Sequence, residues 1–230
     1  MSKESPANGL HPTPHRHSDP APRRFVLGIS GASGAAYALR LLEQLLTLGT
    51  AGHEVHLVVS DYGRRLLFDE AGVTHVDFAN LCPTIAGARA AQRLVIHPNK
   101  DVGAVIASGS FLHDGMVVMP CSSTSLGAIA TGSGSNLLTR AAMVTLKERR
   151  PLILCHRETP LSHIDIVNYQ NLSLAGAIIC PTNPGFYLHP QKVDDLVDFM
   201  VGKVLDLLKV EHNLKTRWEH AAGSAQTAKR

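Results

Sequence analysis

Short apolar runs alternate along this chain with longer stretches whose apolar residues recur at helical spacing. Runs at 24–29, 54–59, 93–97, 103–107, 115–119, 151–155 and 176–180 predict strands. They are continuous rather than alternating, as in Met116-Val117-Val118-Met119 and Leu152-Ile153-Leu154-Cys155, which is the pattern of strands covered on both faces. Stretches at 34–48, 61–70, 80–90, 122–131, 135–149, 161–174 and 191–209 predict helices. The order predicts an α/β fold, flavodoxin-like or Rossmann-like, with a doubly wound, mostly parallel sheet between two helical layers. In such sheets ligands bind outside the carboxyl ends of the strands.

The polar residues gather at those ends. The first strand stops at Ser30-Gly31-Ala32-Ser33-Gly34, and the helix with Tyr37, Leu41, Leu42, Leu45 and Leu48 follows at once. Free N–H groups at a helix start favour an anion, and glycines permit close approach, so this turn is a candidate phosphate cradle. Ser60 ends the second strand, Ser108-Gly109-Ser110 the fourth, and Pro120-Cys121-Ser122-Ser123-Thr124-Ser125 the fifth. His156-Arg157-Glu158-Thr159-Pro160 and Pro181-Thr182-Asn183-Pro184-Gly185-Phe186-Tyr187 complete the series. Any one is ordinary helix-cap chemistry, but together they suit a large polar ligand carrying an anion. The first turn lacks both the dinucleotide G-x-G-x-x-G pattern and the Gly-Lys-Ser/Thr of a P-loop, which disfavours NAD and ATP. A single phosphate, as in FMN, fits better.

Composition narrows the partners. The chain has 230 residues, 44% hydrophobic, enough for one core. Residues 1–22, rich in Pro and His, predict a disordered arm before a domain over 23–210, with a tail at 211–230. The net charge is +3 and aromatics are 5%, too little basic or stacking surface for nucleic acid. No run is long enough to span a bilayer. Four scattered cysteines without a CxxC pair suggest neither zinc nor redox chemistry, and no metal site is expected. The chain reads as cytoplasmic. Arg140 and Lys147 share a helix face, being seven apart, and either complement the helix dipole or bind an anion. Arg157 beside Glu158 on the ligand rim suits a phosphate fork with a proton relay, or else a plain ion pair.

Several segments together resemble the UbiX-type flavin prenyltransferases over about 24–210. They are Gly31-Ala32-Ser33-Gly34-Ala35, Pro120-Cys121-Ser122, Asn136-Leu137-Leu138-Thr139-Arg140, Leu146-Lys147-Glu148-Arg149-Arg150-Pro151, Arg157-Glu158-Thr159-Pro160 and Pro184-Gly185-Phe186-Tyr187. The resemblance implies transfer of a dimethylallyl group from dimethylallyl monophosphate to N5 and C6 of reduced FMN, without metal. The prenylated flavin would serve a UbiD-type decarboxylase, and the enzyme would be a homo-oligomer, a dodecamer, whose sites neighbouring subunits complete. By matching motif, Gly31, Ala32, Ser33, Ser60, Ser122, Ser123, Thr124, Ser125 and Arg157 would hold FMN. Arg140, Lys147, Tyr187 and Lys203 would bind the donor phosphate, with Glu158, Arg157 and Lys147 as the catalytic groups. Lys203 stands where the family commonly has arginine, and loop 108–114, with His113, is expected over the flavin. Two other readings fit less well. A flavodoxin-like FMN-dependent decarboxylase needs a histidine on the early helix, and a non-catalytic flavin carrier leaves Lys147 and Glu158 without a task.

Overall fold

The computed structural model describes residues 22–49, 52–85, 88–214 and 216. The expected arm and most of the expected tail lie outside the described residues. His212 and Thr216, within that tail, fold back on the last helix at Gly202, where a Cβ would collide with Thr216.

Six parallel strands form one sheet: β1 (Arg24–Ile29), β2 (Glu54–Val59), β3 (Leu94–His97), β4 (Met116–Cys121), β5 (Leu152–His156) and β6 (Ile178–Ile179). Their order is β3-β2-β1-β4-β5-β6, the doubly wound arrangement in which the order reverses between β1 and β4. Register runs from Arg24↔Glu54 to Ile29↔Val59 on one side of β1, and through Val26↔Met116 on the other.

Strand pleating divides the core in two. Phe25, Leu27 and Ile29 point to one face, with Val117, Met119, Ile153 and Cys155, and are covered by α1 (Ala35–Thr47), α2 (Asp61–Ala71) and α8 (Val193–Leu207). Val26, Val58, Met116, Val118 and Leu154 point to the other, under α5 (Ser123–Ala130), α6 (Leu137–Lys147) and α7 (His163–Ala175).

Two predicted elements differ. The run at 103–107 is not a strand but a single 3-10 turn, Val105–Ala107. Tight bonds close around it (Ala104 N–H to Asp101 O at 3.1 Å, Ala107 N–H to Ala104 O at 2.9 Å). Only Ile106 of the run is buried, against α6. The helix predicted at 80–90 splits into α3 (Phe78–Leu81) and α4 (Ala88–Arg93), because Pro83 disfavours helical backbone at Cys82.

The second face also buries a histidine cluster. His56 Nδ1 lies 2.8 Å from His97 Nε2, and His56 Nε2 lies 2.6 Å from Glu54. Burial lowers the pKa of all three of His56, His97 and His113, the last to about 4. They are neutral in the fold, whereas the unfolded chain takes up these protons below about 6.5. Their contribution is therefore complete above that pH and is lost as pH falls through their lowered pKa values, which for His113 is about 4. The urea midpoint should drop between pH 7 and pH 4.5 and His113→Leu should flatten the drop; a level midpoint contradicts this.

Candidate functional site

The loops leaving the six strand ends share a rim. At its centre Ser30, buried at the end of β1, ties β1 to β4. Its N–H and Oγ both donate to Pro120 O (3.1 and 3.0 Å), and its Oγ accepts the Ser122 N–H at 2.8 Å. Pro120 has no N–H for a ladder, so pairing of β4 with β5 shifts after Val118 and resumes at Cys121↔His156. That shift sets Ser122 and Arg157 at neighbouring strand ends.

An anion does sit on the N-terminus of α1, but it is the protein's own. Glu70 Oε2 accepts the N–H groups of Gly34 and Ala35, each at 2.9 Å. Partial burial opposes its charge, yet hydrogen bonds from Ser33 and those two amides, with Arg157 nearby, hold its carboxyl below the ordinary glutamate range. The expected phosphate cradle at Gly31–Gly34 is thus occupied by a carboxylate, and the Ser33 hydroxyl is directed to it. Sequence spacing gave no sign of Glu70, which arrives from the far end of α2. Glu70→Ala should lower stability by about 1 kcal/mol, read as a lower urea midpoint, and Glu70→Gln, which keeps an acceptor oxygen, should recover most of it.

The other helix starts differ in their electrostatics. Ser60 caps α2 by accepting the Gly63 N–H at 3.0 Å, but Asp61 follows in the first turn. α7 carries Asp165 in a capping box. α5 has no acidic residue in its first turn, and Ser122 caps it by accepting the Ser125 N–H at 3.3 Å. Among the starts of α2, α5 and α7, the one that favours a phosphate is therefore that of α5. Gly31 and Ala32 lie in the turn after β1, packed against α2, where a Cβ on Gly31 would collide with Tyr62. Thr124 is exposed beside Ser125. The Ser123 side chain instead turns inward to His156, at 3.0 Å.

Arg157 is half-buried, and its Nε is fully buried with no hydrogen-bond partner among the described residues. It is not ion-paired with Glu158, whose Oε1 accepts the Thr159 N–H at 3.1 Å. Of the two arrangements expected there, the plain ion pair between Arg157 and Glu158 does not form among the described residues.

The four residues expected around a donor phosphate do not meet within one chain. Arg140 and Lys147 lie on α6, over one face of the sheet, while Tyr187 and Lys203 belong with α8 over the other. The Tyr187 ring packs edge-on to Phe199 of α8, 5.6 Å between centroids. Lys147 ends α6 at the amino ends of the strands, where its Nζ is 2.6 Å from Glu148 Oε1 and both side chains lie against Gly109. Arg150, beside it, donates to the carbonyls of Gly109 and Phe111 at 2.7 and 2.8 Å. Segment 108–114, expected over the flavin, therefore lies at the opposite end of the sheet from the rim, and His113 is buried there against Thr145. Among the described residues there is no cluster that could hold a metal, and no helix long and apolar enough to cross a membrane.

Comparison with known proteins agrees with this architecture. A family model described as Flavoprotein matches residues 13–205. The flavin prenyltransferase UbiX of Halalkalibacterium halodurans is 42% identical over 194 residues, covering 84% of this chain and 92% of that protein. The crystal structure of AnUbiX in complex with FMN and dimethylallyl pyrophosphate superposes with a TM-score of 0.74 at 35% identity, covering 86% of this chain and 98% of that one. A dodecameric FMN-dependent UbiX-like decarboxylase from Escherichia coli also gives 0.74, at 36% identity, covering 86% of this chain and all of that one. With a 3-2-1-4-5-6 parallel sheet, a glycine turn at its switch point and this similarity along nearly the whole described length, the chain belongs to the flavin prenyltransferases of the Flavoprotein family.

Proposed function

We propose that this protein transfers a dimethylallyl group from a dimethylallyl phosphate to N5 and C6 of reduced FMN, and that the prenylated flavin passes to a UbiD-type decarboxylase. The observation that carries the reading is Arg157 Nε, a buried donor without an acceptor on the rim beside the α5 N-terminus. A buried donor left unpaired costs about 1–3 kcal/mol, and an anionic flavin ligand supplies the missing acceptor. The residues present thus fit FMN: the first turn of α5 from Ser122 to Ser125 and Arg157 would hold its phosphate, while Gly31, Ala32, Ser33 and Ser60 would border it. When bound, reduced FMN would supply the electron-rich ring to which the dimethylallyl group is joined at N5 and C6.

The chain's own groups act on the leaving phosphate. Breaking the allylic C–O bond builds negative charge on that phosphate, which Arg140, Lys147, Lys203 and the Tyr187 hydroxyl stabilise. Glu158 moves the proton between phosphate and flavin. Since Arg140 and Lys147 cover one face and Tyr187 and Lys203 the other, one subunit cannot supply all four to its own rim. Adjoining subunits of a homo-oligomer bring them together, an arrangement supported by the dodecameric relative. Anaerobic incubation of the pure protein with reduced FMN and dimethylallyl monophosphate or pyrophosphate tests the activity. The flavin should gain one C5 unit by mass, and an unchanged flavin mass with both donors overturns the proposal.

A further inference from the structure

Behind the α5 N-terminus runs a chain of polar side chains in which the Ser123 hydroxyl faces away from the rim. His156, the last residue of β5, is fully buried, and both ring nitrogens are engaged: Nε2 lies 3.0 Å from Ser123 Oγ and Nδ1 lies 2.7 Å from Tyr169 OH. Ser123 in turn bonds to Asp165, whose Oδ2 also accepts the N–H and Oγ–H of Ser162 at 2.9 and 2.6 Å.

The carboxylate sets the direction of this chain. An ionised Asp165 can only accept, so the single Ser123 proton goes to it. Ser123 Oγ must then accept from His156, which places the imidazole proton on Nε2. Nδ1 is left as an acceptor, and Tyr169 donates to it. Donation therefore runs Tyr169 to His156 to Ser123 to Asp165, with every ring nitrogen satisfied. Three elements are joined: α7 through Tyr169 and Asp165, β5 through His156, and the first turn of α5 through Ser123.

We propose that His156 is a positioning residue for the flavin site: gripped by Tyr169, it draws the Ser123 side chain inward and fixes the first turn of α5 so that its backbone N–H groups face the rim. Ser123 then serves the anion through its amide rather than its hydroxyl. Arg157, the residue that follows β5, is set by the same strand end, its N–H donating to Cys121 O at 3.1 Å. The proposal rests on the rim being the flavin site, and concerns flavin affinity rather than the donor phosphate.

Two measurements test it. Nitrogen-15 NMR of the ligand-free wild type should show His156 in the Nε2–H tautomer at pH 7, and the Nδ1–H tautomer overturns the relay whether or not FMN binds. His156→Leu should raise the FMN dissociation constant about tenfold and leave the KM for dimethylallyl monophosphate within about twofold. His156→Gln, which keeps an N–H for Ser123, should return FMN affinity to within about threefold of wild type. Unchanged FMN affinity in the leucine variant, equal losses for both substrates, or no rescue by glutamine overturns the positioning role. Failure of the wild type to bind FMN overturns the functional reading instead, and the tautomer then judges the relay by itself. The tautomer measurement needs no variant, so it also decides the matter if His156→Leu does not fold.

Discussion

Mixed oligomers of Lys147→Ala and Glu158→Gln subunits should recover about a quarter of wild-type turnover, although each variant alone falls by roughly a hundredfold or more. The reason is that the two residues flank β5 at opposite ends. Lys147 lies before that strand and Glu158 after it, and a strand of five residues at about 3.3 Å each puts roughly 16 Å between its ends. A lysine at the amino ends and a glutamate at the carboxyl ends act on one phosphate only if they come from different subunits. With random mixing of equal amounts, about one site in four draws both intact residues. Co-expression with two affinity tags, followed by prenyl transfer assays on the doubly tagged fraction, measures this. A doubly tagged fraction no more active than its parents assigns both residues to one chain. Lys147 is also ion-paired with Glu148 at 2.6 Å in the isolated subunit, a contact that a phosphate brought there by the proposed reaction would have to displace.

Arg157→Met should act in opposite directions on the apoprotein and on flavin binding. Removing a buried donor that has no protein partner should leave ligand-free stability equal or higher, since an unsatisfied buried group costs about 1–3 kcal/mol. FMN affinity should fall roughly a hundredfold, because a charge-assisted bond to the ligand is lost. Thermal melts with and without FMN read both effects, since ligand stabilisation scales with the logarithm of concentration over dissociation constant. A destabilised apoprotein with normal FMN affinity assigns Arg157 a structural task. Ser33→Trp makes a matched control. Its ring would fill the turn between Glu70 and the rim, so FMN should be lost there too, and a flavin-loaded variant contradicts the placement of the site.

Much of this was legible in the chain itself. The continuous apolar runs of β1, β2, β4 and β5 and the helical spacing of α1, α6 and α8 located these elements to within a few residues. The polar strand ends Ser30–Gly34, Ser60, Ser122–Ser125 and Arg157 located the rim. Lys147 and Glu158 are expected from the sequence as catalytic neighbours, whereas β5 stands between them, with one before the strand and the other after it. Run 103–107 resisted reading: its valines and isoleucine look like a strand, but the sheet has no place for it and only Ile106 finds a core to enter.

By itself the sequence determined the alternation of strands and helices, the two-faced burial and the polar rim, because side-chain periodicity and helix caps act over neighbouring residues. Tertiary structure alone decided that Glu70 holds the α1 N-terminus, that Ser123 turns to His156, and that the donor-phosphate residues divide between two faces. Those outcomes depend on hydrogen bonds and packing between segments tens of residues apart, which no local pattern encodes.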